Sequence, residues 1–405
     1  MATIGGDAED WRTLGGVRTA WFTAPSLTAS AALGARLSPD PDVLGCDLRS
    51  TGLRVRVRSL AAAERVSATA RGIGLLADPS VLQEISLVTE SPRPGDIEPF
   101  WRSALGYASS EGMAAEDPPA DGMTLIDPLR RDPRLRLCTA EDPRPLRQRL
   151  HLDIVRPEPV LAGLDLGPAG GPYGVRHADA DGNEIDAVPG SPLGGTPESA
   201  DWWQVFGAMA CYRLASAEGR AELVTAAAAL AEEAGAPLLV DLRAELVLLD
   251  SGKDQWEEGV YPAGMDVLDL AARIQAAARG LGAVAVPDMP RFVQLFLDAA
   301  DVASVRDFWA AALGWRRDPR DGVTDLVDPR RLGPALVLQG LDPVDDARRR
   351  QRSRTWPVLE LAPEAVHARI EQSLAAGGSL LEGAEPGRWL LADPEGNPLE
   401  ILSAR

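Results

Sequence analysis

Hydrophobic residues recur along the chain at two spacings. QEISLVTE (Gln83 to Glu90) and FVQLFLDA (Phe292 to Ala299) are apolar over strand lengths, with polar residues interleaved. LAAAERVSATARGIGL (Leu60 to Leu75) and VLDLAARIQAAARGLG (Val267 to Gly282) instead place apolar residues at helical spacing. Read in order, the pattern predicts an apolar strand, a helix (PSLTASAALGARL; AEGRAELVTAAAALAEEAG), an alternating Asp-Leu-Arg strand and an Ala-rich closing helix. A strand, a helix ending in Leu-Gly-aromatic, and short strands (LRLCTA; PALVLQ) follow. A new strand (RLHLDIV; WPVLELA) then precedes a final strand after an Asp-x-x-Gly-Asn turn, where Gly and Asn suit positive φ. The expected class is α+β.

Each of those items occurs twice. EDWRTLGG (Glu9 to Gly16) is echoed by ADWWQVFG (Ala200 to Gly207), and CDLRSTGLRVRV by VDLRAELVLL. IEPFWRSALGY is echoed by VRDFWAAALGW, and DADGNEID (Asp179 to Asp186) by DPEGNPLE (Asp393 to Glu400). The order is conserved between the halves, and the separation drifts from about 190 to about 214 residues, as loop insertions would make it. The chain reads as a tandem duplication in four domains, 1–80, 81–189, 200–288 and 289–405. The Pro-rich VPGSPLGGTPES supplies a linker at 190–199.

A chain of 405 residues is long enough for roughly two to four domains, and its 45% hydrophobic and 25% charged residues are those of a globular protein. The net charge of −19 argues against a nucleic-acid partner and against docking on an anionic membrane. Lys253 is the only lysine, which disfavours Schiff-base chemistry, and the arginine, alanine and glycine bias suits a GC-rich bacterium. Cys46, Cys138 and Cys211 lack C-x-x-C spacing, so no disulfide framework or cysteine zinc site is indicated. No basic start with an apolar run, and no 18-residue apolar stretch, is found, and a cytoplasmic location is expected.

PFWRSALGY with DADGNEID, and DFWAAALGW with DPEGNPLE, resemble the vicinal oxygen chelate, or glyoxalase-like, superfamily over Gln83 to Pro189 and Arg291 to Ser403. The resemblance implies paired βαβββ modules around a cleft, on a fold that hosts lyases, isomerases, dioxygenases, transferases and binding proteins. DWRTLGG, a helix, PDPDV, the Asp-Leu-Arg segment and LRVRV resemble pterin-4a-carbinolamine dehydratases. That family's paired histidines fall on Pro39 and Asp40 in the first copy and on Gly235 and Ala236 in the second, and Ser59 lies near the third histidine position. The resemblance therefore implies dehydratase-like shells without pterin dehydration.

Glyoxalase-like proteins that bind a divalent ion place ligands at the start of each module's first strand and on its last strand. In the first copy those positions hold Glu84, His151 and Asp186, while Arg136 on the first module's last strand cannot ligate. One imidazole and two carboxylates suit Mn²⁺, Mg²⁺, Fe²⁺ or Zn²⁺. Glu184 shares a strand face with Asp186, so a slip of two residues would exchange their roles, and it is the candidate proton-transferring base. His177 is expected in a loop and His367 on an outer helix face. The second copy has Phe292, Trp356 and Glu400 at the equivalent positions, so a metal is expected in the first glyoxalase-like domain only. Trp101, Trp309, Trp356 and Glu400 are candidates for contacting an organic ligand.

The leading expectation is a metal-assisted lyase or isomerase acting on a small oxygenated metabolite. The alternatives are a metal-free binding or resistance protein, and a metal-free acid–base catalyst using Asp40 and Asp42. Duplication allows a monomer as readily as a homodimer.

Overall fold

The structure, a computed structural model, describes residues 9–109, 122–142, 144–256, 265–342, 344–381 and 385–405. It is α+β throughout. Residues 12–77 and 203–285 run through the same order of strands and helices and together form the first layer. Side-chain caps begin its helices: Ser26 accepts from the Ala29 N–H, Ser59 from Ala62, Ser216 from Gly219, and Asp266 from Leu268 and Asp269. The buried Leu, Val and Ala faces of those helices cover one side of the sheet.

Strand Val43–Arg49 pairs antiparallel with Leu239–Leu242, which fuses the two halves into one sheet with Asp47 directly opposite Asp241. The repeated Asp-Leu-Arg motif explains itself there. Arg243 donates to Asp47 Oδ1 at 2.6 Å, and Arg49 donates to Asp241 Oδ1 at 2.9 Å, so each half's arginine neutralises the other half's aspartate. Burial pushes the Asp47 carboxyl up, but Arg243, Arg54 and Arg56 overcome it and hold it well below the usual range.

Four further segments, 83–139, 150–192, 292–340 and 355–403, build the second layer. Gln83–Ser91 pairs antiparallel with Thr355–Leu361, and Leu150–Pro157 pairs antiparallel with Phe292–Ala299. The first segment thus shares an 8-stranded sheet with the fourth, and the second shares its sheet with the third. This corrects the expectation that 81–189 and 289–405 each close on themselves: the sheet partners come from opposite halves. The expected linker also starts too early. Strand Glu184–Pro192 runs past Pro189 and meets the first layer where Ser191 pairs with Gln204.

Within a half, helix and turn make the contact instead. Trp101, on helix Pro94–Leu105, donates its indole N–H to Asp179 Oδ2 at 2.8 Å, and Trp309, on helix Val302–Leu313, donates to Asp393 Oδ2 at 3.0 Å. Each aspartate also accepts from backbone and side chain of the turn asparagine, Asn183 or Asn397, while Gly182 and Gly396 supply φ of 79° and 81°. Trp101 and Trp309 are fully buried. They are therefore not ligand-stacking surfaces; they pin the repeated turn to its helix.

Candidate metal centre and a second cleft

Strand alternation puts His151 and Asp153 on one face of Leu150–Pro157. Register fills in the neighbours: Asp153 lies between Asp186 on the parallel strand and Gln294 on the antiparallel one, and His151 lies opposite Phe296. Ligand atoms of His151, Asp153 and Asp186 all fall within 4.8 Å of one another. His151 and Asp153 are 5% and 6% exposed, and the imidazole stacks on Phe296 at 5.2 Å and 15°. His151 Nε2 is 3.7 Å from Asp153 Oδ1, and Gln294 Nε2 donates to Asp153 Oδ2 at 3.1 Å.

Three buried atoms of this cluster, His151 Nδ1, Asp153 Oδ1 and Gln294 Oε1, have no hydrogen-bond partner. Such atoms are costly unless something satisfies them. Burial lowers the His151 pKa, against the pull of Asp298 and Asp186, which favours the neutral ring that a metal requires. Burial, with Asp186 adding to it, raises Asp153 to about 7 although the Gln294 hydrogen bond opposes the shift. One imidazole nitrogen and two carboxylates converging in a buried, under-bonded space fit a divalent ion.

Glu84 does not join this cluster. It lies on the other sheet, opposite Glu360, where burial raises its pKa and the charges of Arg134, Arg56 and Arg54 outweigh it and lower it. Gly15, at φ 54°, approaches so closely that a Cβ there would sit 2.4 Å from Glu84 Oε1. Glu84 is thus corrected from a ligand of the His151 site to a member of an arginine cluster. Glu184 sits on the same strand as Asp186, held by Arg147 at 2.6 Å and Arg176 at 3.6 Å. Asp40 and Asp42 are paired with Arg65 in an exposed turn, which is what a Pro-Asp-Pro-Asp stretch makes on its own. His177 is half-buried, with Nδ1 3.3 Å from the Leu166 carbonyl, and His367 is exposed on its helix.

Trp356 and Glu400 lie with Glu84 on the second sheet. Glu400 is buried and ion-paired with Arg388 at 2.7 Å. Sequence reasoning missed Asp153 and Gln294. Asp153 was within reach, two residues beyond His151 in an alternating strand. Gln294 was not, because its place depends on a strand pairing 141 residues away in sequence, at 3.1 Å from Asp153.

Residues 294–402 match the family model described as a glyoxalase-like domain. Glyoxalase I from Zea mays is similar in structure at 12% identity and a TM-score of 0.37, covering 79% of this chain and 93% of that one. The cppA protein from Streptococcus pneumoniae TIGR4 is similar at 10% identity and a TM-score of 0.35, covering 79% and 98%. A glyoxalase-related enzyme from Fulvimarina pelagi is similar at 21% identity and a TM-score of 0.20, covering 27% and 84%. No curated protein sequence matches the chain. The chain therefore carries a glyoxalase-like domain, in keeping with the vicinal oxygen chelate resemblance of its sequence. No helix among the described residues is long and apolar enough to cross a membrane.

Proposed function

We propose that the protein is a metal-assisted lyase or isomerase of the glyoxalase-like superfamily, acting on a small oxygenated metabolite at the His151 site. The observation that carries the reading is the convergence of His151, Asp153 and Asp186 within 4.8 Å, with buried donor atoms left without partners. A divalent ion bound there supplies Lewis acidity toward a substrate oxygen. The chain's own residues do the rest. Gln294 orients Asp153, Phe296 fixes the plane of the imidazole, and Arg147 and Arg176 hold Glu184 beside the cluster. Proton transfer at substrate carbon falls to Glu184, or to Asp153 when its carboxyl is not engaged in ligation. The recurring element order and the reciprocal Asp-Leu-Arg pairs support a tandem duplication as the origin of this arrangement.

The test is metal content of the purified chain by mass spectrometry, wild type beside His151→Ala and Asp153→Asn. About one equivalent of divalent ion in the wild type, lost in both variants, is expected. Glu184→Gln should keep the ion and lose turnover. Equal metal content in wild type and His151→Ala, or none after reconstitution, would end the reading.

A further inference from the structure

Apart from the clefts of the two sheets, a cavity of about 470 Å³ opens where the two layers meet, within the size range of small-molecule sites. Its first-layer wall is apolar, with Leu27, Pro237, Leu238 and Leu239, and Val327 continues it from the second layer. Four arginines also line it, Arg49, Arg316, Arg330 and Arg331, on a chain of net charge −19.

Arg49 is already neutralised. It donates to Asp241 Oδ1 at 2.9 Å, and its Nε donates to the Arg331 carbonyl at 3.1 Å, which ties the turn at 328–332 to the seam between the halves. The other three have no carboxylate partner among the described residues, whereas Arg54, Arg56, Arg131, Arg243 and Arg291 of the neighbouring seam are each ion-paired. Neutral groups position two of them: Arg330 lies over the Trp21 ring at 5.5 Å, and Arg331 Nε donates to the Gln255 amide oxygen at 3.1 Å. Both carboxylates in the lining are committed elsewhere. Glu232 accepts from the Thr28 N–H at 2.9 Å and from its hydroxyl at 2.8 Å. Asp328 accepts from the N–H groups of Arg330 and Leu332 within its own turn, at 3.0 and 2.8 Å.

The first half shows that the turn itself does not require this arrangement. DPLRRDP (Asp127 to Pro133) makes the same aspartate-capped turn as DPRRLGP (Asp328 to Pro334). Its Arg131 is spent on Asp241 and Asp250, and Asp132 follows it. Aligned on Asp-Pro, the second half sets its two arginines one position earlier and has Gly333 in place of the acid. Its turn therefore presents two cations at the cavity with no acid following them.

We propose that this interlayer cavity binds a small phosphomonoester. Its phosphoryl group is held by Arg316, Arg330 and Arg331, and its apolar body lies against Leu27, Pro237 and Leu238. Three guanidinium groups without counter-ions match a dianion with three peripheral oxygens, and the apolar wall favours an ester over free phosphate. The cavity shares no lining residue with the His151 cluster, so the inference is independent of the metal reading.

The experiment is titration calorimetry on the full chain stripped of metal, at about pH 8, where a phosphomonoester carries two charges. Phenyl phosphate, inorganic phosphate and benzoate are the probes. One phenyl phosphate per chain is expected, bound about tenfold more tightly than either other probe and weakened by added KCl. Arg330→Gln and Arg331→Gln should each weaken it about tenfold, and the exposed Arg316→Gln less. Lowering the pH to about 5, below the second phosphate pKa of about 6, should weaken it several-fold, since arginine does not titrate there. Arg58→Gln, just beyond the far end of strand Gly52–Val57, removes the same charge and should change nothing. Thermal melts check that each variant is folded; if Arg331→Gln is not, Arg330→Gln and Arg316→Gln decide. No saturable binding, Arg330→Gln and Arg331→Gln both within twofold of wild type, an equal loss in Arg58→Gln, or inorganic phosphate binding as tightly as phenyl phosphate overturns the proposal. Because the chain is metal-free throughout, failure here leaves the His151 reading standing, and failure of that reading leaves this one.

Discussion

Asp179 and Asp393 are buried carboxylates that owe their place to a tryptophan. Each accepts two bonds from an asparagine in its own turn and one from an indole on a separate helix. Trp101→Phe keeps most of the buried area and removes one bond to a charged acceptor, so it should cost about 1.5–3 kcal/mol in denaturant unfolding. Trp309→Phe should cost a similar amount, whereas Trp356→Phe, whose indole N–H has no partner to lose, should cost much less. Equal losses at the three positions would contradict this assignment. At this scale the sequence was half legible. The Asp-x-x-Gly-Asn turn announced its geometry through Gly and Asn, but nothing local to Trp101 indicated an acceptor 78 residues away.

Among elements, the seam between Val43–Arg49 and Leu239–Leu242 depends on charge as well as on backbone pairing. Asp47 receives Arg54, Arg56 and Arg243, so removing the aspartate strands more buried charge than removing any one arginine. Arg243→Met should therefore destabilise by about 3 kcal/mol and Asp47→Asn by about 5 kcal/mol, read from urea midpoints at constant m-value. The reverse ranking would mean that the cluster is not organised around Asp47. The strands and helices themselves were legible from their hydrophobic period. Their partners were not, because the two halves share one hydrophobic pattern. A strand from the first half therefore satisfies the pairing rules equally well against its own neighbour or against the second half. Tertiary packing made the choice, and with it moved Glu84 away from His151.

Across the whole molecule, Arg291 ties the two halves together below the second layer, meeting Asp127 at 2.6 Å and Asp132 at 2.8 Å. Burial raises the Asp127 carboxyl, yet Arg291 and the backbone N–H groups of Leu129 and Arg131 outweigh it and hold it at about 2. At Asp132 burial wins over Arg291 and, with Asp127 beside it, pushes the carboxyl upward instead. Asp127 accordingly contributes on the order of 2 kcal/mol above its unfolded pKa of about 4, and loses it as pH falls through about 2. Between pH 5 and pH 2 the wild type should lose more thermal stability than Asp127→Asn, a difference a pair of melting curves would reveal or refute.

The crossed pairing of segments has a further result. Two identical subunits joined about a twofold axis must repeat every residue in both of their clefts, so no mutation can tune one without the other. Here each cleft draws on both halves of a single chain, and the halves differ. One cleft keeps a histidine with two aspartates, while the other has an arginine facing a glutamate. Covalent continuity gives the two clefts freedom to diverge, and it keeps both complete at any dilution, since their walls never have to find each other from solution.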